Sequence, residues 1–209
     1  MNRPIGKNGF TLVEMLLVIG ILGILMAVLI GNFMSAPAKA EKAKCQELVS
    51  NAATALSVYL TQQGCWPQVL ISGHNSDRGL DAKAAYPLAC NGYYSASYNA
   101  ANTQLSGVDR LGIVSPWAAA VIKDRGTSVS DSTAVPSGGN IASHRLRYAI
   151  DLDGDGIIDG ANIGGSSTDI RATAAVWCAG RDGKIETYQN GQRSDDVYSW
   201  AYGQTQRVK

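Results

Sequence analysis

With 18 basic and 17 acidic side chains in 209 residues, the chain carries a net charge of +1. That balance removes the electrostatic case for nucleic acid as a partner, since binding a polyanion needs a basic surface. The length suffices for one core of ordinary size once an apolar amino-terminal segment, roughly the first sixth, is set aside.

From Phe10 to Phe33 nearly every residue is apolar, and Glu14 is the only charge. A run of about 20 such residues is long enough to cross a bilayer as a helix, predicted here over residues 10–34. Gly20, Gly23 and Gly31 suit close packing of membrane helices. A carboxylate at bilayer depth is costly and points to function, and the plain alternative places Glu14 at headgroup level. Before this run, Met1 to Gly9 carries Arg3 and Lys7 and no acid. Such a basic head marks a segment retained on the cytoplasmic side. The small residue, Gly9, precedes the apolar run, whereas a signal peptide is cut after it.

Gly9-Phe10-Thr11-Leu12-Val13-Glu14 resembles the prepilin-peptidase site of type IV pilins and pseudopilins. The resemblance implies cleavage between Gly9 and Phe10, removal of residues 1–9 as a leader, N-methylation of Phe10 and retention of the helix. It also implies that Glu14 of one subunit neutralises the Phe10 amine of its neighbour, so that charge pairing in hydrocarbon sets register. The family proline near Gly31 is displaced here to Pro37. The expected partners are further copies of the chain, prepilin peptidase, an inner-membrane assembly platform and minor pseudopilins.

Beyond Pro37, Cys45, Leu48, Val49, Ala52, Leu56, Tyr59 and Leu60 recur at three- and four-residue steps, which predicts an amphipathic continuation of the helix over 35–64 with its stripe on a sheet. Gly64 supplies the C-cap and Trp66-Pro67 prevents a restart. Residues 65–209, rich in Gly, Ser, Asn and Asp, predict short strands and long loops in an exported globular part. Cys45, Cys65, Cys90 and Cys178 allow three pairings in an oxidising space. Cys65 with Cys90 and Cys45 with Cys178 are preferred, and the absence of a CxxC spacing argues against zinc.

The signal from Val69 to Asn140 is poor. Tyr86, Tyr93, Tyr94 and Tyr98 read as loop anchors, and His74 and His144 as surface residues without partners. Ser115-Pro116-Trp117 resembles a pseudopilin Asp-Pro-Trp-Gly segment. Residues 126–139 read as a mobile loop. Arg145 to Ile150 alternates like a half-buried strand and feeds Asp151-Leu152-Asp153-Gly154-Asp155-Gly156-Ile157-Ile158-Asp159, which matches the calcium-loop template. Asp151, Asp153 and Asp155 offer carboxylate oxygens, Ile157 a carbonyl, and Asp159 a ligand directly or through water. Asn162 stands where the template wants a bidentate Glu, which weakens affinity, and an unoccupied Asp-Gly hairpin turn is the alternative.

Residues 170–178 predict a central strand. The following Ala179-Gly180-Arg181-Asp182-Gly183-Lys184, with Ser194-Asp195-Asp196-Val197-Tyr198-Ser199-Trp200, resembles the end of the major (G-type) pseudopilin of type II secretion systems. That resemblance implies a second structural Ca²⁺ loop with Asp195 and Asp196 as ligands, joined by Asp182. A sheet-edge loop closed by Trp200 is the alternative.

The expected fold is α+β: a long N-terminal helix, half in the inner membrane, packed by its second half on a small antiparallel sheet outside it. The expected role is a structural subunit of a pseudopilus or type IV pilus-like filament. An adhesive or ligand-binding minor pilin and a membrane-tethered calcium-dependent binding module are the alternatives. No nucleophile–base pair or phosphate loop supports an enzyme.

Overall fold

A computed structural model describes residues 10–33, 36–75, 79–81, 84–85, 87–88, 113–125, 129–186, 195–200 and 205–206. Tyr86, Cys90, Tyr93, Tyr94, Tyr98, the leader and the 187–194 loop lie outside them, as do the bridge expected between Cys65 and Cys90 and the junction at 34–35 where one continuous helix was expected.

The architecture is α+β. Helix α1 spans Leu12–Phe33 and α2 spans Ala36–Gln63. Along α1 every residue whose side chain is described, Leu12 to Ala27, is exposed. Among the described residues no helix is long and apolar enough to cross a membrane.

The chain divides into two compact units, residues 1–40 and 41–209. Within the second, α2 buries Cys45, Val49, Ala52, Ala55, Leu56 and Tyr59. These follow the predicted stripe, with Leu48 and Leu60 at its half-buried margins. The helix closes as expected: the Gly64 N–H donates to the Leu60 carbonyl at 2.8 Å, and Gly64 adopts φ 71°, which a side chain would resist.

The short helices α3 (Gln68–Gly73) and α4 (Pro116–Arg125) follow. Pro116 sits at the first helical position, where its missing N–H costs nothing. The strands are β1 (Arg147–Ile150), β2 (Ile158–Ile163), β3 (Ser166–Ile170), β4 (Ala174–Cys178), β5 (Val197–Tyr198) and β6 (Thr205–Gln206). They pair antiparallel in two sheets, ordered β1-β4-β5 and β2-β3-β6.

The first sheet is covered on both faces, and this corrects the half-buried reading of residues 145–150. Tyr148 and Ile150 join the core under α2, together with Val176 and Cys178 of β4. Ala149, Ala175 and Trp177 point the other way, into a second core with Ile158, Ala161, Ile163, Ile170 and Trp200. Alternation is still present in the strand, but both phases meet apolar partners. The predicted strand 170–178 is likewise two: Ile170 ends β3, and β4 begins at Ala174. β4 is central, as expected.

Cys45 and Cys178 are disulfide-bonded, joining α2 to β4 across 133 residues of sequence. Cys65 is exposed and has no bridge among the described residues.

Two further expectations are corrected. His144 is fully buried, its Nδ1 2.9 Å from Ser115 Oγ and its Nε2 2.9 Å from the Gly138 carbonyl. The carbonyl can only accept, so Nε2 carries the proton and the Ser115 hydroxyl donates to Nδ1. Burial holds this imidazole below its usual pKa, against the opposing pull of the Gly138 carbonyl and of Asp182 and Asp195. The second correction concerns residues 129–139, expected as a mobile loop. They are crossed by backbone bonds such as Thr133 N–H to Ser130 O and Ile141 N–H to Thr133 O, and they bury Val129 and Val135.

Candidate assembly and ion-binding sites

At the start of α1, Thr11 and Glu14 cap each other. The Thr11 N–H and hydroxyl both donate to Glu14 Oε2 at 2.8 Å, and the Glu14 N–H donates to Thr11 Oγ1 at 3.3 Å. This is the reciprocal Thr-x-x-Glu box that satisfies otherwise orphaned helix-start donors. Glu14 Oε1 has no partner among the described residues, so one oxygen serves the helix and the other faces outward. Phe10, Leu12 and Val13 beside it are 76%, 81% and 73% exposed.

The acidic loop between β1 and β2 converges. Asp151, Asp153 and Asp155 each offer a carboxylate oxygen, all lying within 4.8 Å of one another. The loop folds this way because Asp151 accepts the Gly154 N–H at 2.7 Å and the Gly156 N–H at 2.8 Å, one on each oxygen. Gly154 and Gly156 stand at φ 82° and 85°, where a side chain would be strained. Burial pushes the Asp151 carboxyl up, yet the bonds from Gly154, Gly156 and Asp153 outweigh it and hold the group below its usual range. Asp159 is pushed up, by desolvation first and then by the charges of Asp155, Asp169, Asp153 and Asp151.

Two residues that sequence reasoning passed over hold the ends of this loop. Trp66 Nε1 donates to the Asp151 carbonyl at 2.6 Å. Asn75, in the left-handed region at φ 57°, donates from Nδ2 to the Gly160 carbonyl at 3.0 Å and accepts the Asn162 N–H. Trp66 had been read only as part of a helix stop, and Asn75 lies 85 residues from Gly160. Asn162, the position-twelve residue, sits in β2 and turns its Oδ1 to the Gly165 N–H.

The second acidic group is built differently. Asp196 is buried, accepting the Gly180 N–H at 2.8 Å on Oδ1, and the Glu186 N–H at 2.9 Å and Tyr198 hydroxyl at 3.1 Å on Oδ2. Asp195 is exposed and accepts the Arg181 N–H at 2.7 Å, while Asp182 accepts the Lys184 N–H at 2.9 Å. A Cβ on Gly180 would fall on the Asp195 carboxylate, so a side chain there would have to displace it. Among the described residues these three carboxylates do not form a convergent group like that of the first loop.

The profile of the prokaryotic N-terminal methylation motif matches residues 6–30. The chain is also similar to the type IV major pilin protein PilE1 of Neisseria gonorrhoeae, 29% identical over 106 residues, which are 48% of this chain and 59% of that relative. The chain thus carries the N-terminal methylation motif and is similar, over about half its length, to a type IV major pilin. No solved structure matches the chain.

Within the methylation motif, the capping box gives a local reason for Glu14 to follow Thr11 by three residues, beside the one implied for assembly. The motif implies anchoring of the N-terminal helix in the inner membrane. The G-type resemblance of the carboxyl end is not reached by the comparisons and remains an expectation.

Proposed function

We propose that the chain is a structural subunit which loses residues 1–9, is methylated on Phe10, spans the inner membrane through the run ending at Phe33, and polymerises through α1. The observation that carries this is the methylation motif, matched over 6–30 at the head of a helix whose described apolar side chains are all uncovered. Such a surface demands lipid or other helices. Prepilin peptidase, an assembly platform and minor pseudopilins are the partners this reading requires. The acidic carboxyl end favours a pseudopilus of the type II secretion kind. A type IV pilus is the second reading, favoured by the similarity to a major pilin.

Calcium belongs to the same proposal. Asp151, Asp153 and Asp155 fit a hard divalent cation, since they present oxygens only and already converge. With the Ile157 carbonyl and Asp159 they would hold Ca²⁺ as a structural ion tying β1 to β2. Asn162, committed to Gly165, would leave the site weak.

Intact-mass measurement of chain co-expressed with a prepilin peptidase tests the processing: loss of Met1 to Gly9 and gain of one methyl are expected. Glu14→Gln tests the assembly role, because glutamine preserves the capping box while removing the charge. The variant should insert and be processed, yet fail to enter filaments as sole subunit. Normal filaments from Glu14→Gln would reduce Glu14 to a helix cap.

A further inference from the structure

Away from both acidic loops, a cavity of about 350 Å³ opens between the start of α2, α4, the 135–137 turn and the strand exit at Arg181. Trp117, Val121, Pro136, Glu41, Asp124 and Arg181 are among the residues that line it, Asp124 and Arg181 being exposed. The indole is fixed in place: its Nε1 donates to Glu41 Oε2 at 2.7 Å, and the buried His144 ring stands against it at 6.3 Å between centroids. Asp124 and Arg181 are exposed, and neither side chain has an ion-pair partner among the described residues. The same wall holds Ser137, whose Oγ is buried without a hydrogen bond.

The lining restricts what fits. Two carboxylates disfavour an anion, and Arg181 disfavours a simple cation. An apolar molecule would desolvate three charged lining groups without pairing them, which is costly. What remains is a neutral molecule with an apolar face and polar groups that both donate and accept. A sugar ring has this character: its C–H face lies on indole and proline, while its hydroxyls donate to Glu41 and Asp124 and accept from the guanidinium. The volume lies at the low end of ligand pockets, right for one or two rings.

We propose that this cavity binds a saccharide unit, with Trp117 as platform and Asp124 and Arg181 as the groups that read its hydroxyls. This goes beyond the assembly reading and does not depend on it, because the cavity lies wholly within residues 41–181.

The test uses the full chain in detergent, titrated with glucose, galactose and N-acetylglucosamine, each alone and as a β-linked disaccharide, and followed by saturation-transfer NMR and calorimetry. At least one of these should bind saturably. Asp124→Asn and Arg181→Gln, both exposed and outside the core, should each weaken that binding about tenfold or more, the usual result of deleting a charged hydrogen-bond partner, with the thermal melt unchanged. The proposal is overturned if none of the six sugars binds, or if binding persists undiminished in both variants. It is equally overturned if free arginine or glutamate occupies the cavity and the sugars do not.

Discussion

The two acidic groups look alike in sequence, yet among the described residues only the first gathers its carboxylates toward one point. Asp151, Asp153 and Asp155 bring oxygens toward one point, and only Asp151 among them is buried. Asp196, like Asp151, accepts backbone donors on both oxygens, here those of Gly180 and Glu186, and it adds the Tyr198 hydroxyl. The first arrangement concentrates negative charge that a cation would relieve. The second uses negative charge to tie Gly180 and Glu186 to the start of β5. Aspartates a few residues apart therefore point to a metal only where their oxygens converge, since backbone donors engage Asp151 and Asp196 alike.

The sharpest way to break this comparison is at Asp196. Asp196→Ala strips three donors of their acceptor, and the two N–H groups lie in a buried or half-buried setting. A hydrogen bond to a charged group contributes about 1.5–3 kcal/mol, and a buried donor left unpaired costs a similar amount. The expected loss is about 3–5 kcal/mol, read as a lowered denaturation midpoint in calcium and in chelator alike. If chelator alone destabilised the native protein as much as the substitution does, and the two effects did not add, Asp196 would be a metal ligand after all.

How far the sequence could be read follows from the range of each interaction. The α2 stripe, its Gly64 stop and the Asp151–Asp155 loop were legible because their determinants lie within a few residues of one another. So was the start of α1, where Thr11 and Glu14 are three apart, although the motif drew attention to Glu14 and away from its cap. The Cys45–Cys178 bridge came from choosing among three pairings, not from any local signal. What stayed hidden depends on distant packing. His144 gives no hint in sequence that Ser115 and Gly138 will enclose it. Nothing near Asn75 shows that it will clasp β2. The alternating pattern of 145–150 was visible, but a strand cannot announce that its second face will meet Trp177 and Trp200.

A smaller effect sharpens the other half of the comparison. If calcium occupies the first loop, it stabilises the native state by about 2.7 kcal/mol at a hundredfold excess over its dissociation constant. Chelation of a fragment starting near Pro37, with disulfides kept oxidised, should lower its melting temperature accordingly. Magnesium should substitute poorly, because it holds its waters and a stricter octahedron. Asp153→Ala should abolish the calcium response while leaving the chelated protein nearly as stable as before, since Asp153 is exposed. A melting curve indifferent to calcium would leave the loop an ordinary hairpin turn.

The smallest effect is at Asp159, and its value lies in its sign. Desolvation and then the neighbouring charges of Asp155, Asp169, Asp153 and Asp151 raise its pKa in the folded chain. A carboxyl whose pKa rises on folding favours the native state below its unfolded value, near 3.9, and that contribution is lost as pH rises through the folded value. At neutral pH without metal, ionised Asp159 therefore works slightly against the fold, and Asp159→Asn should raise the melting temperature in chelator. In saturating calcium the order should reverse if Asp159 reaches the ion, because asparagine brings a weaker ligand and less charge. A substitution that stabilises equally in both conditions would show that Asp159 stands outside the ion's shell. One that destabilises in chelator would show that its neighbours do not repel it, and the crowding of charge around the loop would lose its main consequence.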